Sequence, residues 1–345
     1  MRVLIAAWFS LVAAALVAAV PAKAEENVKA PAKTKAPAPP KAGIKTPGIQ
    51  IPFGSLKSEA QIPVEKPGLI AIADSVFVPS RSKDLLVRID PKTNQLLDPV
   101  TELKQPCSGA AIAFAALWIP NCQSRTLTRF DPKTGKLTAT LASGAADVTL
   151  GIAATPDSVW MLTDSKTTLS RIDPGDNKIV AEMRLPAGCN SLAYGETSLW
   201  VACPLETRLL RINPATNLVD QRIEVPAGPR AVAFGAGSVW VLCEQDGKVA
   251  RIDPKTSTVI KTIELSVPNA AGNLAFGDGF LWVSQTGFPL ARIDPQAGKE
   301  RVAQQFWGEG GGLISVSPGA IWLSNVTKGT IARFDPKRVI ATLAE

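Results

Sequence analysis

The sequence predicts an all-β fold: a seven-bladed β-propeller of four-stranded antiparallel blades, preceded by a signal peptide and a disordered linker. Two observations carry most of this. A phrase of the form Arg-x-Asp-Pro, with Asn once in place of Asp, returns seven times: Arg88-Ile89-Asp90-Pro91, Arg129-Phe130-Asp131-Pro132, Arg171-Ile172-Asp173-Pro174, Arg211-Ile212-Asn213-Pro214, Arg251-Ile252-Asp253-Pro254, Arg292-Ile293-Asp294-Pro295 and Arg333-Phe334-Asp335-Pro336. Successive arginines lie 41, 42, 40, 40, 41 and 41 residues apart, which is the period of one four-stranded blade. An aromatic residue also recurs once per period, at Phe77, Trp118, Trp160, Trp200, Trp240, Trp282 and Trp322, so that six of the eight tryptophans share one repeat position.

The fifth repeat shows how a blade is written. Arg230 to Phe234 reads as the inner strand, Gly235-Ala236-Gly237 as a turn and Ser238 to Leu242 as the second strand. Lys248 to Ile252 reads as the third strand and Thr258 to Ile263 as the outer one. β-Branched density and turn chemistry at regular spacing support these assignments. Both faces of a blade are covered by neighbours, which explains strands that run apolar rather than strictly alternating. The recurring aromatics are expected to fill the wedge between sheets. The Arg-x-Asp-Pro phrase is read as scaffold: Asp or Asn before Pro accepts a backbone N–H and starts a turn, and one active site needs no sevenfold repetition. Gly135 is expected to supply a positive φ in the second repeat.

Two segments compete to close the ring. Val339 to Leu343 reads as the outer strand of the seventh blade. Ser58-Glu59-Ala60-Gln61-Ile62-Pro63-Val64 has the same pattern as the outer strand Asp220-Gln221-Arg222-Ile223-Glu224-Val225-Pro226. The sequence leaves the choice open.

Ahead of the repeats, residues 1–24 read as a signal peptide. Arg2 supplies the positive start, Val3 to Val20 is apolar apart from Ser10, and Ala22-Lys23-Ala24 offers a small-x-small site with cleavage after Ala24. The alternative is a membrane anchor, for which the apolar run is barely long enough. The implied location is the periplasm or the exterior, with no transmembrane segment in the mature chain. Residues 25–52 are rich in Ala, Pro and Lys and cannot bury enough area to fold alone. They read as a solvated linker or, alternatively, as a basic tether to anionic envelope material. The propeller is assigned to residues 53–345.

The formal net charge is +7. Arg2 and Lys23 belong to the leader, and seven lysines face four glutamates between Glu25 and Lys66, which leaves about +2 for the rest. The basicity therefore belongs mainly to the leader and tail together, and no dense basic stripe points to nucleic acid.

Of the five cysteines, Cys107 and Cys189 lie eleven residues before the tryptophan of their blade, while Cys122 and Cys203 follow it by four and three. The start of an inner strand and the end of its antiparallel neighbour meet at one edge. Cys107–Cys122 and Cys189–Cys203 are therefore expected as disulfides in an oxidising compartment, each worth roughly 3 kcal/mol by chain entropy. Cys243 is left over, either as a buried inert thiol or as a reactive one.

The chain contains no histidine. Ser-His-Asp and Cys-His catalysis and imidazole-ligated metals are thereby excluded, and Gly310-Gly311-Gly312 joins two strands instead of opening a helix as a phosphate loop would. No catalytic residue is assigned. One mouth of the central channel collects the outer-to-inner connections and the loops between second and third strands. Its polar residues include Asn121, Asp164 and Glu309. Asn190, Arg230, Glu244, Gln245, Asn273, Gln285 and Asn325 are the candidate ligand-binding set there. Oxygens of this kind suit a polar ligand or a hard divalent cation, Mg or Ca.

The phrase Gly237-Ser238-Val239-Trp240-Val241, followed by Arg251-Ile252-Asp253-Pro254-Lys255-Thr256, resembles the YVTN-type and virginiamycin B lyase-like seven-bladed propellers. The resemblance runs through all seven repeats. It implies the fold, and for virginiamycin B lyase a magnesium-dependent elimination whose proton transfer uses histidine. With no histidine to place there, that catalytic assignment does not carry over. Lactone-hydrolysing propellers, a more distant likeness, hold a divalent metal with Glu, Asn and Asp. The expectation is thus an exported, non-enzymatic, monomeric propeller presenting its channel mouth to a small ligand or an envelope protein. The alternative is a metal-assisted lyase or lactonase.

Overall fold

The computed structural model describes residues 47–342 except 102, 108, 147–150, 165–166 and 297. The expected export signal, most of the Ala/Pro/Lys-rich stretch and Leu343 lie outside the described residues.

Seven antiparallel sheets follow one another in chain order. Their inner strands are Ala71–Ile72, Ala111–Ala113, Ile152–Ala154, Ser191–Gly195, Pro229–Gly235, Gly272–Gly277 and Leu313–Ser317. Each packs on the next and the last on the first, so the ring is closed. In blade five the four strands are Pro229–Gly235, Ser238–Cys243, Lys248–Asp253 and Thr258–Glu264, within a residue of the sequence reading. Blades approach so closely at the inner strands that a Cβ on Gly195 would overlap the Phe234 ring, and one on Gly235 the Phe276 ring.

The seven second-strand aromatics are completely buried between sheets. Buried indole N–H groups usually find partners. Those of Trp118, Trp200, Trp240 and Trp282 donate to the carbonyl five residues back, at 3.0–3.2 Å. Trp160 donates to Thr155 Oγ1, and Trp322 Nε1 alone of the six has no partner among the described residues.

The repeat arginine links one blade to the next. In six blades its guanidinium lies over that blade's second-strand aromatic, 5.0–5.9 Å from the ring centre, within cation–π range. The same six reach into the following blade's turn. Arg129 donates to Pro174 O at 2.7 Å, Arg171 to Pro214 O at 3.0 Å and Arg251 to Pro295 O at 3.1 Å. Arg88 donates to Lys133 O and Arg211 to Ser257 Oγ. Arg333 of blade seven donates to Pro91 O of blade one at 2.6 Å, which carries the chain of bonds across the closure.

The Asp or Asn of every repeat accepts the backbone N–H two residues on, at 2.7–2.9 Å. Gly135 has φ +71°, as its place in such a turn predicts. Chiefly through the amides of Lys92, Lys133 and Lys255, Asp90, Asp131 and Asp253 are held below the usual carboxylate range. A depressed folded-state pKa contributes stability that is present above the unfolded value, about 3.9, and is lost as pH falls through the folded one. The melting temperature is therefore expected to drop below about pH 4. Asn at all three positions, the residue already present as Asn213, keeps the acceptor and should flatten that drop. Melts from pH 7 down to acid test this, and an equally steep fall in the triple variant would show that the turns are not its source.

Of the two candidate closing segments, the N-terminal one does the work. Ala60–Pro63 pairs antiparallel with Thr330–Phe334, Ile62 opposite Ile331, as the outer strand of blade seven. The reading of Val339 to Leu343 as a strand is corrected: Pro336–Ala341 is a short helix. Asp335 caps it by accepting from Lys337 N, and Pro336 sits at its start, where Pro is pre-organised for helix. With the sheet edge already taken, Val339 turns instead into a cluster with Leu56, Phe306 and Phe334. Ile49–Pro52, at the end of the Ala/Pro/Lys-rich stretch, adds a parallel fifth strand to blade six beside Gln304–Trp307.

Cys107–Cys122 and Cys189–Cys203 are both disulfides. Cys243 is free and buried. It pairs in register with Pro229, which stands eleven residues before Trp240, where blade four has Cys189. Burial pushes its thiol up to about 12, so it has almost no thiolate at neutral pH. Among the described residues, no helix is long and apolar enough to cross a membrane.

Candidate binding site at the channel mouth

The central channel is lined by inner-strand side chains that include Leu192, Val232, Leu274 and Ile314, with Leu69, and encloses about 270 Å³. Its polar lining residues Asn273 and Ser315 are taken up by backbone groups, so polar chemistry falls to the loops at its mouth.

The structure separates the candidate residues into two groups. Three are bound up in the scaffold. Gln285, buried, donates to Val267 O and Ala270 O at 3.2 Å, tying down the connection into blade six. Asn273 lines the channel, donates to Ile314 O and accepts from Leu274 N. Asn325 accepts from Lys328 N within its own turn, away from blade five. Of the other mouth residues, Asn121 is wholly buried and bonded to Thr126 and Thr128, while Asp164 and Glu309 form exposed ion pairs with Arg125 and Lys328.

The second group gathers where blades four and five meet. Asn190 directly precedes the inner strand of blade four, locked beside the Cys189–Cys203 bridge and by Asn190 N donating to Ala202 O. Its side chain is nearly buried, and its Oδ1 has no hydrogen-bond partner. Arg230 holds the equivalent position in blade five, ten residues before its tryptophan. Val232 N donates to Ser191 Oγ at 3.1 Å, holding the two strand starts side by side. Glu244 begins the next loop, its backbone fixed by bonds to Gly228 and Asn269. Its carboxylate lies 3.9 Å from the Arg230 guanidinium, too far for a tight hydrogen bond, and its buried Oε2 has no donor. Gln245 is exposed and covers Gly228, where a Cβ would come within 2.6 Å of its Cγ. Ser191, absent from the candidate set, is what holds this sector together; as an unrepeated serine in a strand it carries no sequence signal.

Chemically, the sector presents a cation and two buried acceptors without donors. Among the described residues no three His, Cys, Asp or Glu side chains come together as a metal-binding group. Two carboxylates stand in this sector: Glu244 faces Arg230, and the exposed Asp246 accepts from Ala227 N.

The sequence matches no known family profile and no curated protein. Solved structures do match. One is a catalytically inactive virginiamycin B lyase from Staphylococcus aureus with quinupristin, 16% identical, with TM-score 0.67 over 79% of this chain and 97% of that one. Another is a streptogramin B lyase, 16% identical, with TM-score 0.65 over 79% and 94%. A third is BamB from Moraxella catarrhalis, 12% identical, with TM-score 0.57 over 84% of each chain. At such identities the likeness is one of fold: the chain is a seven-bladed propeller of virginiamycin B lyase-like architecture.

Proposed function

We propose that the protein is an exported, non-enzymatic propeller that binds a polar ligand, free or displayed on an envelope protein, where blades four and five meet at the channel mouth. The observation that carries this reading is the pair of buried, donor-less oxygens, Asn190 Oδ1 and Glu244 Oε2, beside Arg230. Buried acceptors without donors are costly, and a ligand offering N–H or O–H groups would relieve that cost. An anionic group on the same ligand would meet Arg230. Absence of histidine from the sequence and of any group of three acidic or Cys side chains able to hold a metal among the described residues weigh against the metal-assisted alternative. The two disulfides suit an oxidising compartment outside the cytoplasm.

The test is capture from envelope extracts followed by affinity measurement. The Asn190→Ala/Arg230→Ala variant is expected to melt as the parent does and to bind the captured component at least about tenfold more weakly, with chelation changing neither. Ring opening of cyclic esters that is lost on chelation and restored by Mg²⁺ or Ca²⁺ would replace this reading with the enzyme.

A further inference from the structure

Arg292 of blade six departs from the pattern of its six counterparts. The turn it should reach begins with Asp335-Pro336, but Pro336 is the first residue of a helix. There the backbone carbonyl points along the helix axis and is taken up by the helix itself. Arg292 instead lies 4.6 Å over Phe280 rather than over its blade's tryptophan, and its Nε donates to Gln304 Oε1 at 2.7 Å. Gln304 is itself fixed, buried and donating to Val339 O, Ile340 O and Thr342 O. Both terminal nitrogens of Arg292 are left with no hydrogen-bond partner among the described residues.

Arg292 lines an open cleft of about 400 Å³ together with Gly48, Ile49, Arg301, Gln304 and Ile340, among others. Arg301 is exposed and forms no ion pair among the described residues. The acidic residues nearest in sequence do not fill the gap: Glu300 is engaged by Arg251 at 2.9 Å, and Asp294 is held by the amide of Gln296. Burial lowers the pKa of the Arg292 guanidinium, an effect that the Asp294 charge only partly opposes. A half-buried guanidinium whose terminal nitrogens have no partner among the described residues, with a second arginine lining the same cleft, suits a two-oxygen anion.

We propose that the cleft between the added N-terminal strand and the C-terminal helix, on blade six, is a second ligand site that takes a carboxylate or phosphate group on the paired guanidinium groups of Arg292 and Arg301. The site is independent of the channel mouth. Gln304 fixes Nε, which leaves the two terminal nitrogens for bidentate recognition.

Titration with inorganic phosphate and, separately, acetate at constant ionic strength, followed through the arginine Nε–Hε resonances, tests this. A saturable shift of the Arg292 resonance with either anion is expected. Affinity should fall about tenfold or more in Arg301→Gln, an exposed position where folding is not at risk, read on Arg292, and in Arg292→Lys, which keeps charge but not the fork, read on the Arg301 resonance. Asn190→Ala/Arg230→Ala should leave it unchanged. Shifts no larger than chloride produces, or parent-like affinity in both Arg301→Gln and Arg292→Lys, would overturn the proposal.

Discussion

Replacing Trp240 by alanine is expected to destabilise the protein by about 3–5 kcal/mol. The indole is wholly buried in a cluster that draws Ala231, Leu242 and Val249 from its own blade and Leu274, Leu281 and Val283 from blade six. Truncation would leave a wedge-shaped void between sheets that rigid strands cannot close. It would also break the bond from Nε1 to Gly235 O and remove the surface beneath Arg251. That arginine donates to Pro295 O and Glu300 of the next blade, so part of the loss should be transmitted across the interface. Trp240→Phe keeps most of the volume and should cost much less. Trp307, a half-buried tryptophan outside the repeat position, is the internal control. Denaturant unfolding of the three variants decides the matter: equal costs for Trp240→Ala and Trp307→Ala would show that the repeat position has no special packing role.

A chain starting at Glu65, without the closing strand, is expected to lose cooperative folding. Ile62 and Val64 would leave a cluster that contains Trp322, Ile331 and Val76, spanning blades seven and one. Arg333 would lose its pairing with Glu59. The strand Thr330–Phe334 would become an open edge with unpaired N–H and C=O groups, the usual template for aggregation. A chain starting at Phe53 loses only the added fifth strand on blade six and should fold. Adding a peptide of residues 58–64 to the shorter chain should restore part of the transition. A Glu65 chain that melts within a few degrees of the parent would mean that the ring closes without this strand.

The repeats were legible because they are written in residues with narrow structural uses. A tryptophan every forty or so residues has few places to go but between sheets, and Asp-Pro fixes a turn. What escaped was what those residues do between blades. The sequence puts Arg and Asp in one phrase, but the arginine acts on the following blade's turn, a contact more than forty positions away. Val339 to Leu343 misled because a β-branched run follows Pro336. Whether such a run becomes strand or helix depends on whether the edge is free, and Ala60–Pro63 had taken it. The mouth residues were only partly legible. Gln285 and Asn273 are spent on backbone carbonyls, whereas Asn190 and Glu244 are not; short-loop amides and acids look alike until the carbonyls around them are placed. The Arg292 cleft has a faint signature in hindsight, since the seventh phrase continues Lys337-Arg338 where the first, second and fifth continue Lys-Thr.

The closing strand also governs when the protein can mature. Ile62 must wait for Ile331, so the earliest-made part of the propeller finds its partner only after nearly everything else has been synthesised. Both disulfides join cysteines 14 and 15 residues apart and can be oxidised on a partial chain long before then. Assembly of this kind has a quick local stage and a slow, long-range last step, and the interval between them is when an unfinished molecule is most exposed to proteases and most in need of a chaperone.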